Sequence, residues 1–317
     1  MPLPTDEKEL ALGKDLLKAF DTVGGGPHAG YRAAHAKGVL LTGTFVPTAE
    51  AASLTKAPHM TRSSTPVSVR LSDFAGIPNV PDNHPEGASP RGFALRFHLA
   101  EHSHTDIVAH SANAFPSRTA EEFLEFLQAV IASGPDAPHP NPIERFLGSH
   151  PAALAFVQLP KPFPTSFARE HFFAISAFKF INAEGGESHG RYRIVPDLGT
   201  EYLDADTAAA KGPNYLFDEL KERIAAGPVK FHIFVQLGEQ GDVTDDATIQ
   251  WPESRKQLKL GEITLTALAP ENEAEQRHII FDPRPGVDGI DTAGDPLFEP
   301  RATIYLMSGR RRRSAQP

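Results

Sequence analysis

Strict alternation marks the clearest strands of the chain. Over residues 66–72, Val67, Val69 and Leu71 point one way and Ser68, Arg70 and Ser72 the other, the period of two that a half-buried strand requires. Phe93, Leu95, Phe97 and Leu99 repeat the pattern over 90–99, and their shared face reads as core. Segments 39–45, 231–237 and 261–266 are β-rich, while 171–181 and 190–195 read as an antiparallel pair turned at Gly185-Gly186. The helical period appears over 5–20, where Leu10, Leu12, Leu16, Leu17 and Phe20 line a broad face behind Pro4. Gly24-Gly25-Gly26-Pro27 ends it. Thr119 and Glu122 form a capping box before Phe123, Phe126, Leu127, Val130 and Ile131. A further helix is predicted over 215–226 and a long turn-rich loop over 79–90. Together the elements predict an α+β protein: a closed antiparallel β-barrel with helices packed outside.

Composition narrows the function. With 317 residues, 40% of them hydrophobic, the chain can bury the core of one large domain or two small ones. There is no cysteine, which excludes disulfides, thiolate chemistry and cysteine-ligated iron or zinc. A formal charge of −9 argues against nucleic acid as a partner despite the run Arg310 to Arg313. No stretch reaches the roughly 18 to 20 apolar residues of a membrane span, and no secretory signal opens the sequence. The expected location is therefore the cytoplasm, or the bacterial periplasm after signal removal. His98, His102 and His104 lack an acidic ligand at helical spacing and read as surface histidines.

Two distant stretches carry the chemistry. Near the C-terminus Arg301 and Tyr305 stand four residues apart, which puts them on one face of either a helical turn or a strand. A guanidinium beside a phenol favours the phenolate, a strong ligand for ferric iron and the proximal haem ligand of catalase. The partner stretch is Arg32-Ala33-Ala34-His35-Ala36-Lys37-Gly38. With these two motifs the chain resembles the haem catalases, and more closely their shortened relatives, the catalase-related peroxidases, from about residue 20 to the final arginines.

The resemblance implies an eight-stranded barrel of catalase type, a single haem domain over 1–317 with 1–20 as its N-terminal helix, and haem b as cofactor. It implies Tyr305 as iron ligand, with Arg301 beside it, and His35 as the distal base, a role that suits imidazole. Ser72 matches the serine that supports this histidine; Arg32, Arg70 and Arg312 match arginines that bind haem propionates. Phe123 falls on a haem-stacking phenylalanine. In Asp106-Ile107-Val108-Ala109-His110-Ser111-Ala112-Asn113 the chain departs from true catalases, which carry an asparagine where ungapped alignment places His110. Either His110 substitutes or a local shift brings in Asn113; the register that places Phe123 favours His110.

The expected function is reduction of hydrogen peroxide or organic hydroperoxides by a haem peroxidase with weak or no catalase turnover. Its small-molecule partners are the peroxide and a reductant of unspecified identity, and a homodimer is compatible with the family. The end of the chain soon after the tyrosine motif implies a more open haem pocket than in long catalases. The alternatives are a haem isomerase or lyase of fatty-acid hydroperoxides, and a noncatalytic haem or lipid carrier.

Overall fold

A computed structural model of the chain describes residues 3–315. Eight strands form the barrel: β1 (Gly38–Pro47), β2 (Thr65–Ser72), β3 (Gly92–Ala100), β4 (Ser103–His110), β5 (Phe172–Phe173), β6 (Glu187–Pro196), β7 (Val229–Leu237) and β8 (Gln257–Leu268). Each pairs antiparallel with the next, and β8 returns to β1, so the ring closes in chain order. Closure removes the unpaired edges that an open sheet would expose. The alternating residues behave as their pattern predicts: Val67, Val69, Leu71, Phe93, Leu95 and Phe97 all face a common interior with Phe45, Phe172 and Phe231. The five phenylalanines among them, Phe45, Phe93, Phe97, Phe172 and Phe231, are each buried, a gain of about 1.5–3 kcal/mol apiece.

The expected strand 171–181 is broken. Phe172–Phe173 pairs with the second half of β6, while Phe178–Ile181 pairs with its first half and with a short strand Ile290–Thr292. Ala174 still donates to the Tyr192 carbonyl at 3.1 Å across the interruption, so the break is a kink in one hairpin arm.

Three helices frame the outer face. Helix α1 (Glu7–Val23) starts where Asp6 accepts the backbone N–H groups of Lys8 and Glu9 at 2.8 and 3.0 Å. It runs past the expected end at 20, because Gly24 is the first residue that stops it, its N–H closing on the Phe20 carbonyl. Helix α2 (Ala120–Ile131) is capped by Thr119, which accepts from Glu122 N–H at 3.2 Å, but the expected capping box is incomplete because the Glu122 carboxylate accepts from Arg118 N–H at 2.8 Å instead; α3 (Phe298–Ser314) is the segment whose motif was compatible with helix or strand. Helix α1 packs on both others and is clasped to α3 by Asp21, which receives both Arg311 Nη groups at 2.5 and 2.7 Å. Among the described residues, no helix is long and apolar enough to cross a membrane.

Candidate active site

The site is built on the outside of the barrel, where four strands bring their ends into one transverse row. Gly38 on β1 lies opposite Ser72 on β2, Ser72 opposite Gly92 on β3, and Gly92 opposite His110 on β4. Residues directly opposite one another share a face, so Ser72 and His110 project to the same side. Gly92 leaves that side open: a Cβ there would lie 2.5 Å from Ser72 Oγ and 2.8 Å from His35 Nδ1. Gly38 does the same for Arg70, whose guanidinium occupies the space of its missing side chain.

His35 enters this row from the loop before β1. Its φ is +56°, the left-handed region that non-glycine residues avoid, and the loop is held by His35 N–H donating to the Phe74 carbonyl at 2.6 Å and Ala36 N–H to Ala75 at 2.9 Å. Such a held conformation preorganises the side chain. Ser72 Oγ sits 3.2 Å from Nδ1, and the ring meets Phe74 edge-on. Burial pushes the His35 pKa down to about 3, helped by Arg70, His110 and Arg32 and opposed by a hydrogen bond to the Asp73 backbone. The imidazole is therefore neutral at ordinary pH, with a lone pair free to accept a proton.

Three guanidiniums gather beside it. Arg32 Nη2 and Arg312 Nη2 both donate to the Ile279 carbonyl, at 3.1 and 2.7 Å; Arg70 donates to Gln276 Oε1 at 2.8 Å and to the Ala36 carbonyl at 3.2 Å. Arg70 and Arg312 are each 3% exposed. Burial, then Arg70 and Arg312, lowers the Arg32 pKa well below its ordinary value; burial and Arg312 push Arg70 down to about 9; burial and Arg313 push Arg312 down to about 10. Among the described residues none of the three forms an ion pair with a carboxylate. A guanidinium does not serve as a base near neutrality, so this buried like-charge cluster calls for an anionic ligand rather than for proton loss. Two carboxylates on one ligand fit it.

Helix α3 supplies the opposite wall. Arg301, Tyr305, Ser308 and Arg312 follow at intervals of four, three and four and so form one stripe. Arg301 Nη2 donates to Tyr305 Oη at 3.3 Å, while Ala33 N–H reaches Ser308 Oγ at 3.4 Å. The tyrosine stripe thus faces the segment that carries Arg32 and His35. Phe123 packs with Phe20 of α1, Phe126 of α2 and Phe115 of the loop before α2, in the cluster that also holds Ile304.

Of the two candidates, the structure places His110 in this row. It is half-buried with Nε2 enclosed, and it contributes to lowering the His35 pKa. Asn113 turns away: its Nδ2 donates to Glu253 at 3.3 Å and its carbonyl accepts from Gln250. Gly92, Gln276, Ser308 and the Ile279 carbonyl were missed from sequence; only Gly92 carried a signal, as a glycine inside an alternating strand. On the far barrel surface Asp197, His232 and Glu262 converge, but His232 Nε2 is taken by Asp197 and Glu262 by Lys230, both at 2.8 Å. Ion pairing accounts for that cluster.

The catalase family model matches residues 29–316, and the chain belongs to the catalase family. It is similar to a catalase-related peroxidase of Mycolicibacterium paratuberculosis, 35% identical over 287 residues and covering 90% of each chain. A catalase-related peroxidase of Synechococcus elongatus is also 35% identical, over 90% of this chain and 85% of the relative. Against Catalase-2 of Bacillus subtilis identity is 27%, over 86% of this chain but 42% of that protein. A solved bacterial catalase superposes with a TM-score of 0.77 at 23% identity, covering 98% of this chain and 62% of its own, a likeness of fold.

Proposed function

We propose that this catalase-family oxidoreductase is a haem-dependent peroxidase that reduces hydrogen peroxide or organic hydroperoxides at the expense of a separate electron donor, with little catalase turnover. The observation that carries the reading is the cradle of three guanidiniums, Arg70 and Arg312 buried and Arg32 partly so, without a carboxylate ion pair among the described residues, beside the neutral His35 imidazole and the stripe that carries Tyr305. Arg32, Arg70 and Arg312 would hold the two propionates, and Tyr305, with Arg301 donating to its oxygen, would hold the iron. The bound haem, haem b in this reading, would supply the two-electron chemistry at the O–O bond.

The chain's own residues handle protons. His35 Nε2 takes the proton from the peroxide oxygen that docks, and returns it to the oxygen that leaves as water or alcohol. Overall the peroxide gains two electrons from the donor and two protons, and yields water plus water or an alcohol. Ser72, at Nδ1, keeps the ring in the orientation this requires. The relatives' printed names, catalase-related peroxidase, support the class.

The test combines hemin titration with peroxide-dependent oxidation of a dye. The unaltered protein should take up one hemin per chain and oxidise the dye. His35→Ala should keep the hemin and lose about 100- to 10,000-fold in rate with peroxide; normal turnover in that variant would remove the mechanism.

A further inference from the structure

The row of strand ends holds a second imidazole whose hydrogen bonding is as specific as that of His35. Ala112 N–H donates to His110 Nδ1 at 3.2 Å. A ring nitrogen that accepts carries no proton, so a neutral imidazole in this position has its hydrogen on Nε2. The ring is neutral, since burial, with Arg301 next, pushes its pKa down to about 3. Nε2 is itself buried and has no hydrogen-bond partner among the described residues, a state that folded proteins keep where a ligand or water completes the bond.

His35 shows the complementary arrangement. Its Nδ1 faces Ser72 Oγ at 3.2 Å, and the backbone of Asp73 also bonds the ring. With its hydrogen on Nδ1, given to the Ser72 hydroxyl, the ring leaves Nε2 as the acceptor.

We propose that His110 is the second distal group, a fixed Nε2–H donor that grips the peroxide oxygen while the bare Nε2 of His35 receives its proton. The two imidazoles are held as opposite tautomers, one offering a hydrogen and the other a lone pair. This rests on the peroxidase reading and adds to it a donor that the strand register puts on the same face as Ser72.

Two variants and two readouts test it. In His110→Gln the amide nitrogen reaches the position of the imidazole Nε2; His110→Phe keeps a ring and loses the donor. Fluoride, which accepts hydrogen bonds and offers none, should bind the hemin-loaded Phe variant about 10- to 100-fold more weakly than the unaltered protein, and the Gln variant within about threefold of it. Equal fluoride affinity in the Phe variant overturns the donor while leaving hemin binding intact. The second readout needs no hemin: in the full-length chain with 15N-labelled histidine, His110 should show a protonated Nε2 and a bare Nδ1. The reverse tautomer overturns the proposal. Failure of the unaltered chain to take up hemin would instead strike the peroxidase reading, and the tautomer would still decide the donor.

Discussion

Gly92 has no side chain, yet the position of His35 depends on what it lacks. A methyl group there would press on Ser72 Oγ and His35 Nδ1 at 2.5 and 2.8 Å, and the neighbour that yields is the imidazole on its strained loop. Gly92→Ala should therefore keep the fold and the hemin while slowing reaction with peroxide about tenfold to 100-fold, since a shift near 1 Å is enough for that. Stopped-flow rates beside a hemin titration would check it; an unchanged rate would mean the ring is not seated by that glycine. At this scale the sequence pointed to side chains that the structure pairs, His35 with Ser72 and Tyr305 with Arg301. It was silent where the backbone does the work. The Ile279 carbonyl that Arg32 and Arg312 share and the Ala112 N–H that orients His110 are groups every residue possesses, so no residue identity could announce them.

Helix α3 shows what one element adds to its residues. A spacing of four fits both a helix and a strand, and the Arg301–Tyr305 pair alone could not choose between them. Ser308 and Arg312 extend the same stripe by three and four residues, a helical rhythm that settles the matter once all four are read together. The stripe turns Arg312 towards Arg32, and the cluster they form with Arg70 belongs to no single element. Removing one member should act oppositely on two properties. Arg32→Leu should weaken hemin binding about 10- to 100-fold, the loss of a charge-assisted contact. The same change relieves repulsion from Arg70 and Arg312, so stability without hemin should fall far less than hemin affinity. Hemin titration and urea unfolding of the hemin-free chain measure the two separately; a variant that unfolds easily yet binds hemin normally would assign Arg32 a structural role only.

Over the whole molecule, barrel and helices bury more ionisable groups than the site uses, and this sets how the fold answers to acid. Alternation made β2 and β3 readable and β-rich runs marked β1, β7 and β8, but β4 over Ser103–His110 was not predicted, and neither was the kink between Phe173 and Phe178, since both arms lie on one partner strand. Burial pushes His35, His59 and His110 down to about 3 and His171 down to about 4. Below about pH 6.5 the unfolded chain binds protons at these positions and the native one does not, so each histidine lowers stability as pH falls through that range. Glu170, raised to about 7 by burial, works the other way: from about pH 4.5 to 7 the native chain keeps a proton that the unfolded chain has lost. Asp73 acts with it, raised by burial and by Asp82 against the pull of Arg91. Four histidines outweigh two carboxyl groups, so the unfolding free energy from urea titrations should fall steadily on acidification from about pH 6.5, by roughly 1.4 kcal/mol per pH unit for each unbalanced proton. His59 isolates one share of this slope, because it stacks on Phe97 at 4.3 Å with Nδ1 unpartnered and its one charged neighbour of consequence is Arg62. His59→Leu should flatten the acid decline by about one proton's worth between pH 4.5 and 6. An unaltered slope in that variant would show that His59 takes up its proton as readily in the native chain as in the unfolded one.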